Sequence, residues 1–315
     1  MQSSSIDFSR FFRGPFLVML AAALWAADAL LRTQLTTHIP SAWIVFLEHI
    51  IGFLIMLPLF VRAVPRYRTL RGGDWVVVVA LTIVSSVAGT LFFTEALARS
   101  GTTFDFITPV LLQKLQPIFV VLLAVIFLRE RISFFYALLV PVALIGSYLI
   151  SFGAFPVEFQ LSGKELVYIL SLGAALAWGS GTILSKKILQ KLSFADATAL
   201  RFLVAIPVSF AVGMWLSPSY HFSSLVPVDL WRFVIIAFTT GAGAVLIYYQ
   251  GLARTSASVA TIAELTFPVV SLGIAVSYLN PYGAPQVLSL ANVFGIVVLL
   301  CSVLAVSLEA ARRQF

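Results

Sequence analysis

Apolar and polar positions alternate along this chain on the scale of whole segments. Long apolar runs of about twenty residues are separated by short breaks, and about twenty apolar residues are what a helix needs to cross a bilayer. Ten such runs stand out: 15–35, 42–62, 75–98, 105–128, 132–152, 166–188, 196–216, 230–252, 256–279 and 286–308. The breaks carry turn residues or charge, as in "THIPS", "RAVPRYRTLRGGD", "LRERIS" and "NPYGAP". Their shortness predicts that neighbouring helices run antiparallel. The pattern therefore predicts an all-α membrane protein with ten transmembrane helices.

The runs contain few polar residues, and those few mark where lipid is not the neighbour. Composition agrees: 60% of the 315 residues are hydrophobic and 10% are charged, against roughly 45–50% and about 25% in soluble domains. The first run follows Arg10 and Arg13, as a signal peptide would. It is longer than the ~7–15 residues of such a segment, carries Asp28 and Arg32, and resembles a later run, so it reads as a retained first helix.

The net charge of +7 does not point to nucleic acid, because the basic residues are scattered through short loops. From Arg10 to Arg313, nearly all Lys and Arg outside the runs fall on one side. Only Arg99, Lys164 and Arg232 fall on the other. The positive-inside rule then places both termini in the cytoplasm of a bacterial inner-membrane, multi-pass protein. Cys301 is the single cysteine, so an intramolecular disulfide and a Cys-rich metal site are excluded.

The second half repeats the first. "FFTEALARSG" (92–101) matches "YYQGLARTSA" (248–257), "LAAALWAADALL" (20–31) matches "LGAALAWGSGTIL" (172–184), and "QKLQPIFVVLLAVIFL" (113–128) matches "ELTFPVVSLGIAVSYL" (264–279). Spans 1–5 thus recur as spans 6–10. Five is odd, so the halves insert with opposite orientation, the architecture of secondary transporters. The expected units are residues 1–14 as a cytoplasmic segment, five-helix repeats over 15–153 and 166–308, and a cytoplasmic tail over 309–315.

These motifs, together with "LLQKLQPIFVVLLAVIFLRERIS", "ALRF" and "YYQGLARTSASVATIAELTFPV", resemble the drug/metabolite transporter superfamily in its ten-helix EamA-type branch. The resemblance covers nearly the whole chain. It implies two inverted five-helix repeats around a central cavity, and either export of amino acids and related metabolites or exchange of sugar nucleotides and phosphate esters. Two departures are visible. The fourth span ends in Glu130-Arg131, where the second half has Asn280-Pro281. The first half has Glu48-His49 where the family often has a pair like Arg201-Phe202.

Within the runs, Lys114 is the most demanding residue. It lies about 12 Å from the outer end of its helix at ~1.5 Å per residue, counting from Phe106. A charge at the bilayer centre costs about 2.5–3.5 kcal/mol on insertion scales. Three placements are open: facing a cavity, a buried ion pair, or snorkelling to the interface. Pro117 removes the donor to the carbonyl of Gln113, and Pro268 does the same for Glu264. Such freed carbonyls suit a wet cavity or a kink supported by a neighbouring helix.

Glu48 is expected to neutralise Lys114 or to carry a coupled proton, and His49, which titrates near neutrality when unperturbed, is the cheaper proton carrier. Interfacial anchoring is the plain alternative for both. Glu95 with Arg99, and Asp28 with Arg32, are spaced for local i,i+4 salt bridges. Gln250 stands at the Glu95 position in the repeat. Trp178 and Tyr249 are candidate cavity walls, with lipid anchoring as the alternative.

The expected substrate-binding set is Lys114, Gln113, Glu48, Glu95, Trp178, Tyr249, Gln250 and Glu264. His49 and Glu48 are the candidates for proton coupling. There is no P-loop, His-Glu-x-x-His or Gly-x-Ser-x-Gly signature, so enzyme chemistry, a cofactor and a bound metal are not expected. The expected partners are a small-molecule substrate and membrane lipids, with the chain a monomer or weak dimer. Secondary export of amino acids by alternating access is the leading expectation. A lipid flippase or phosphate-ester exchanger is the alternative.

Overall fold

The protein was analysed as a computed structural model, which describes residues 8–101, 107–152, 163–280 and 284–312. Arg313 and the expected turns at 102–106, 153–162 and 281–283, which hold the Phe106 and Pro281 used above, lie outside the described residues. All regular structure among the described residues is helical.

Five helical spans form the first half. They are α1 (Phe8–Leu35), α2 (Ser41–Tyr67), α3 (Gly72–Leu81, Thr82–Gly89, Thr90–Gly101), α4 (Ile107–Gln113, Gln116–Leu123, Ala124–Leu128) and α5 (Phe134–Phe152). The second half comprises α6 (Glu165–Ile188), α7 (Phe194–Leu216), α8 (Pro227–Phe238, Ala242–Leu252), α9 (Ala257–Glu264, Phe267–Ala275) and α10 (Leu290–Arg312). Nine described stretches are long and apolar enough to span a membrane, and Gln116–Leu128 is a shorter one. The shorter stretch belongs to α4, whose expected span begins at 105, outside the described residues.

Long-range hydrogen bonds define two ends of the bundle. At the end that holds the termini, Arg66 clasps Asp196 at 2.6 and 2.8 Å, and Lys186 donates to the Leu252 carbonyl at 2.6 Å. At the opposite end His38 meets Asp229 at 2.8 Å, and Trp43 donates to the Ser217 carbonyl at 2.9 Å. All but the Lys186 bond, which lies within the second half, join one half to the other. The outward-facing surface is apolar, with Phe134 and Trp215 each 80% exposed, as lipid-facing helices require.

The irregularities of the spans are themselves repeated. α4 and α9 break at matching places. In α4 the Leu115 N–H bonds to Leu112 and the Ile118 N–H to Leu115; in α9 the Thr266 N–H bonds to Ala263 and the Val269 N–H to Thr266. Three-residue turn bonds replace helical ones just before Pro117 and Pro268, neither of which can donate. α3 passes through a π-helical stretch, Thr82–Gly89, at the level where α8 is interrupted at Thr239–Gly241. Irregular backbone at membrane depth is tolerated where protein or a wet cavity covers it, and these four places surround one cavity. The fold is thus two inverted five-helix repeats around a central cavity.

Candidate functional site

The cavity contains about 1140 Å³ of space not filled by atoms, part of it continuous with solvent. Three layers of side chains build its wall.

The middle layer comes from the breaks in α4 and α9, which face each other. Lys114 sits on the first residue of its break, 7% exposed, with its ammonium 3.6 Å from the centre of the Phe267 ring. Gln113 donates to the Gln116 amide oxygen at 2.9 Å. Gln116 in turn donates to Glu264 at 2.8 Å, and Tyr248 donates to the other oxygen of Glu264 at 2.8 Å. Each break therefore hands a polar side chain to the other half. The expected Lys114–Glu48 pair does not form, because Glu48 is held elsewhere.

Glu48 belongs to a layer nearer the end opposite the termini. Its carboxylate accepts from the Arg32 guanidinium, which also grips Asp28 and donates to Thr94 at 3.0 Å. Asp28 accepts a further bond, from Thr240 of α8, at 2.5 Å. Asp28 and Arg32 were expected to form only a local bridge. Instead Arg32 is 7% exposed and ties α1 to α2 and α3, since a buried guanidinium must fill its donors. His49 turns from Glu48, as adjacent helical residues must. Its Nδ1 lies 2.7 Å from the Val45 carbonyl, and its ring packs 5.1 Å from Phe202.

A third layer lies toward the termini. Arg201 of α7 donates to Ser86 at 2.5 Å, to Tyr249 at 3.0 Å and to Ser85 at 3.1 Å. Tyr249 also meets Ser185 at 2.8 Å. Ser85 and Ser86 belong to the π-helical stretch of α3. Gly181 of α6 makes the room: a Cβ there would lie 2.2 Å from the Ser85 hydroxyl.

Aromatic pairs complete the wall. Trp25 of α1 meets Tyr248 of α8, and Trp178 of α6 meets Phe93 of α3. Both pairs have ring centres 5.2 Å apart and planes tilted by 55°. Trp25 corresponds to Trp178 in the repeat and Tyr248 to Phe93, so one arrangement is built twice. Each pair crosses between the halves, and all four rings reach the cavity.

Of the residues singled out from sequence, Lys114, Gln113, Glu48, His49, Trp178 and Glu264 line the cavity. Glu95, Tyr249 and Gln250 are not on its wall. Glu95 accepts from Arg99 at 2.8 Å and from Ser41 at 2.8 Å, toward the end opposite the termini. Tyr249 is fully buried behind Arg201. Sequence reasoning passed over Ser85, Gln116, Thr240 and Phe267, and treated Arg32 and Arg201 only as helix charges. The signal was available for some: counting from Trp25 and Trp178 sets Arg201 over Glu48 and Gly181 over Asp28.

Comparison with known proteins agrees with this architecture. The chain matches the EamA-like transporter family over residues 12–152 and 165–308. It is 34% identical over 265 residues to the riboflavin transporter ImpX of Fusobacterium nucleatum subsp. nucleatum, covering 82% of this chain and 87% of that one. A riboflavin transporter of Brucella anthropi is 29% identical over 209 residues, 64% of this chain and 68% of that one. A solved crystal structure with 18% identity superposes at a TM-score of 0.73 over 96% of this chain and 99% of the other, a likeness of fold. Two family-matched repeats, a multi-pass helical bundle and a cavity between its halves lead to one conclusion: the chain belongs to the EamA-like transporter family and is a membrane transporter.

Proposed function

We propose that the protein carries riboflavin, or a flavin closely related to it, across a bacterial cytoplasmic membrane by alternating access, with both termini in the cytoplasm. The observation that carries this reading is the duplicated aromatic pair. Two Trp-centred pairs on the wall of one cavity offer faces to a flat, fused ring, and aromatic stacking contributes ~0.5–1.5 kcal/mol per pair beyond area burial. The names of the two relatives support the same cargo. Amino-acid export, expected from the superfamily resemblance, has no counterpart in those names.

A flavin also needs a polar edge to be read. Its pyrimidine edge alternates carbonyl acceptors with one N–H donor. Lys114 and Gln113 supply donors, and Glu264 supplies an acceptor across the two breaks. In this reading Trp178 and Trp25 hold the ring faces, and the ribityl chain runs away from the two breaks. Glu48 and His49 are the candidates for proton coupling in this reading. Glu95, Gln250 and Tyr249 support the wall from outside.

The test is counterflow. Purified protein in liposomes loaded with riboflavin should accumulate external labelled riboflavin in both directions of loading. Excess amino acids should not compete. No flavin exchange, with exchange of an amino acid instead, would sink the proposal.

A further inference from the structure

The three cavity-lining cations are not equivalent. Arg32 is neutralised by two carboxylates, Asp28 and Glu48. Lys114 rests on an aromatic ring in a layer that also holds Glu264. Among the described residues the hydrogen-bond partners of Arg201 are all hydroxyls, those of Ser85, Ser86 and Tyr249, and its guanidinium also lies 5.7 Å from the centre of the Tyr249 ring. Among the described residues no carboxylate oxygen lies within 4.0 Å of its guanidinium. The remaining cavity acids are engaged: Asp28 and Glu48 with Arg32, and Glu264 with Gln116 and Tyr248.

The repeat explains what is missing. The Arg32 cluster and the Arg201 cluster occupy equivalent places. Arg32 corresponds to Ser185, Asp28 to Gly181, Glu48 to Arg201, Thr94 to Tyr249 and Thr240 to Ser85. At the two positions that hold acids in the first half, the second half has a glycine and the arginine itself. A charge removed from water is costly unless a counter-charge meets it. One half carries its own counter-charge; the other leaves that part open on the cavity side.

We propose that Arg201, with Ser85, forms an oxyanion subsite at the end of the cavity nearer the termini, occupied by a phosphate or carboxylate group of the cargo. Arg201 has five N–H groups and uses three toward hydroxyls. Ser85 accepts from Arg201 and among the described residues donates to no other group, so its O–H is left for an acceptor, while Ser86 holds Arg201 from behind the wall. Guanidinium donors and a hydroxyl converging from two helices match the several acceptor oxygens of a phosphate monoester. Gly181 gives the Ser85 side chain its place in this corner, and π-helical turns recur at functional sites, which fits a subsite built on α3. The ester then named, riboflavin 5′-phosphate, rests on the flavin reading above; the subsite itself does not.

Binding to the purified full-length protein separates the two. Flavin fluorescence quenching would be titrated with riboflavin and with riboflavin 5′-phosphate, on wild type, Arg201→Gln and Ser85→Ala. The expected result is at least tenfold weaker ester binding in Arg201→Gln, a severalfold loss in Ser85→Ala, and riboflavin binding changed by less than threefold in both. Equal losses for the two flavins, or no ester binding to wild type, would overturn the subsite. Should neither flavin bind wild type, the flavin reading fails. The subsite is then decided by inorganic phosphate alone: it stands if phosphate raises the melting temperature of wild type but not of Ser85→Ala, and falls if it raises neither or both.

Discussion

The Arg32 cluster and the Arg201 cluster are the same structure made twice and charged differently. Every position of one has its counterpart in the other, down to the hydroxyl that each half lends across the cavity, Thr240 to Asp28 and Ser85 to Arg201. Geometry is held by the symmetry of the repeat, and chemistry departs from it. With its groups ionised, the first cluster holds one cation against two acids, and the second holds one cation against none. The cavity is therefore negative toward one end and positive toward the other. A carrier built from two interchangeable halves gains a preferred orientation for its cargo this way, without changing its backbone.

The comparison breaks most visibly at Arg32. Replacing it by Met leaves two buried carboxylates unpaired, which costs about 3–5 kcal/mol. Arg201→Met leaves only hydroxyls and should cost clearly less. Thermal melts of the two variants in detergent check this, and restoring stability to Arg32→Met with Asp28→Asn and Glu48→Gln would confirm that unpaired charge is the cause. Equal losses at Arg32 and Arg201 would mean the two clusters are energetically alike. A smaller effect is expected at Gly181→Ala. The new methyl meets the Ser85 side chain well inside contact distance, and such overpacking costs typically ~1–3 kcal/mol. Ser85→Gly should recover most of it, because that change removes the opposing atoms.

These effects lie between helices, which is why the sequence shows the frame better than the site. The spans, the inverted repeat and the prolines that break α4 and α9 are local signals, and each is visible in a window of a few residues. Lys114 stood out because a lone charge in an apolar run has few bland explanations. Arg32 was misjudged because Asp28, four residues back, satisfies it on paper. The contacts to Glu48 and Thr94 depend on how α1, α2 and α3 pack, and spacing along one helix does not carry that. Ser85 and Ser86 gave no local signal at all, since serine in a membrane helix usually bonds its own backbone. The register of the repeat was the one long-range clue. Reading Glu48 over Arg201 as a swap of charge, rather than as a departure from the family, would have pointed to both clusters.

Lys114 offers a test in which stability and binding move apart. Its ammonium is buried on the Phe267 ring, and a desolvated cation–π contact contributes about 2 kcal/mol or more. Against that stands the cost of holding a charge at membrane depth, ~2.5–3.5 kcal/mol on insertion scales. The two nearly cancel. Lys114→Met should therefore leave the melting temperature within a few degrees of wild type, while weakening riboflavin binding by about tenfold through loss of a charged hydrogen bond, ~1.5–3 kcal/mol at most. Unchanged binding would remove Lys114 from the cargo site.

The smallest expected effect concerns a cap that one half sets on the other. Glu130, at the end of α4, accepts from the Ala257 N–H at 2.8 Å, from the Ser258 N–H at 3.2 Å and from the Ser258 hydroxyl at 2.6 Å. It caps the start of α9 from the opposite repeat, at the end of the bundle that holds the termini. The second half has Asn280-Pro281 in that place, and Asn280 bonds to Ala284 within its own turn at 2.9 Å. A capping carboxylate contributes about 0.5–2 kcal/mol, with the charge–dipole part included. Glu130→Gln keeps the shape and loses the charge, so about 1 kcal/mol or less is at stake. That is too little to unfold the protein, and enough to loosen one seam between the halves. Amide hydrogen exchange at residues 257–259 should quicken by roughly fivefold for each ~1 kcal/mol lost, while exchange at the Arg32 cluster stays as it was. Equal quickening at both would mean that the seam and the cluster open together, and that the two ends of the cavity are not separate gates.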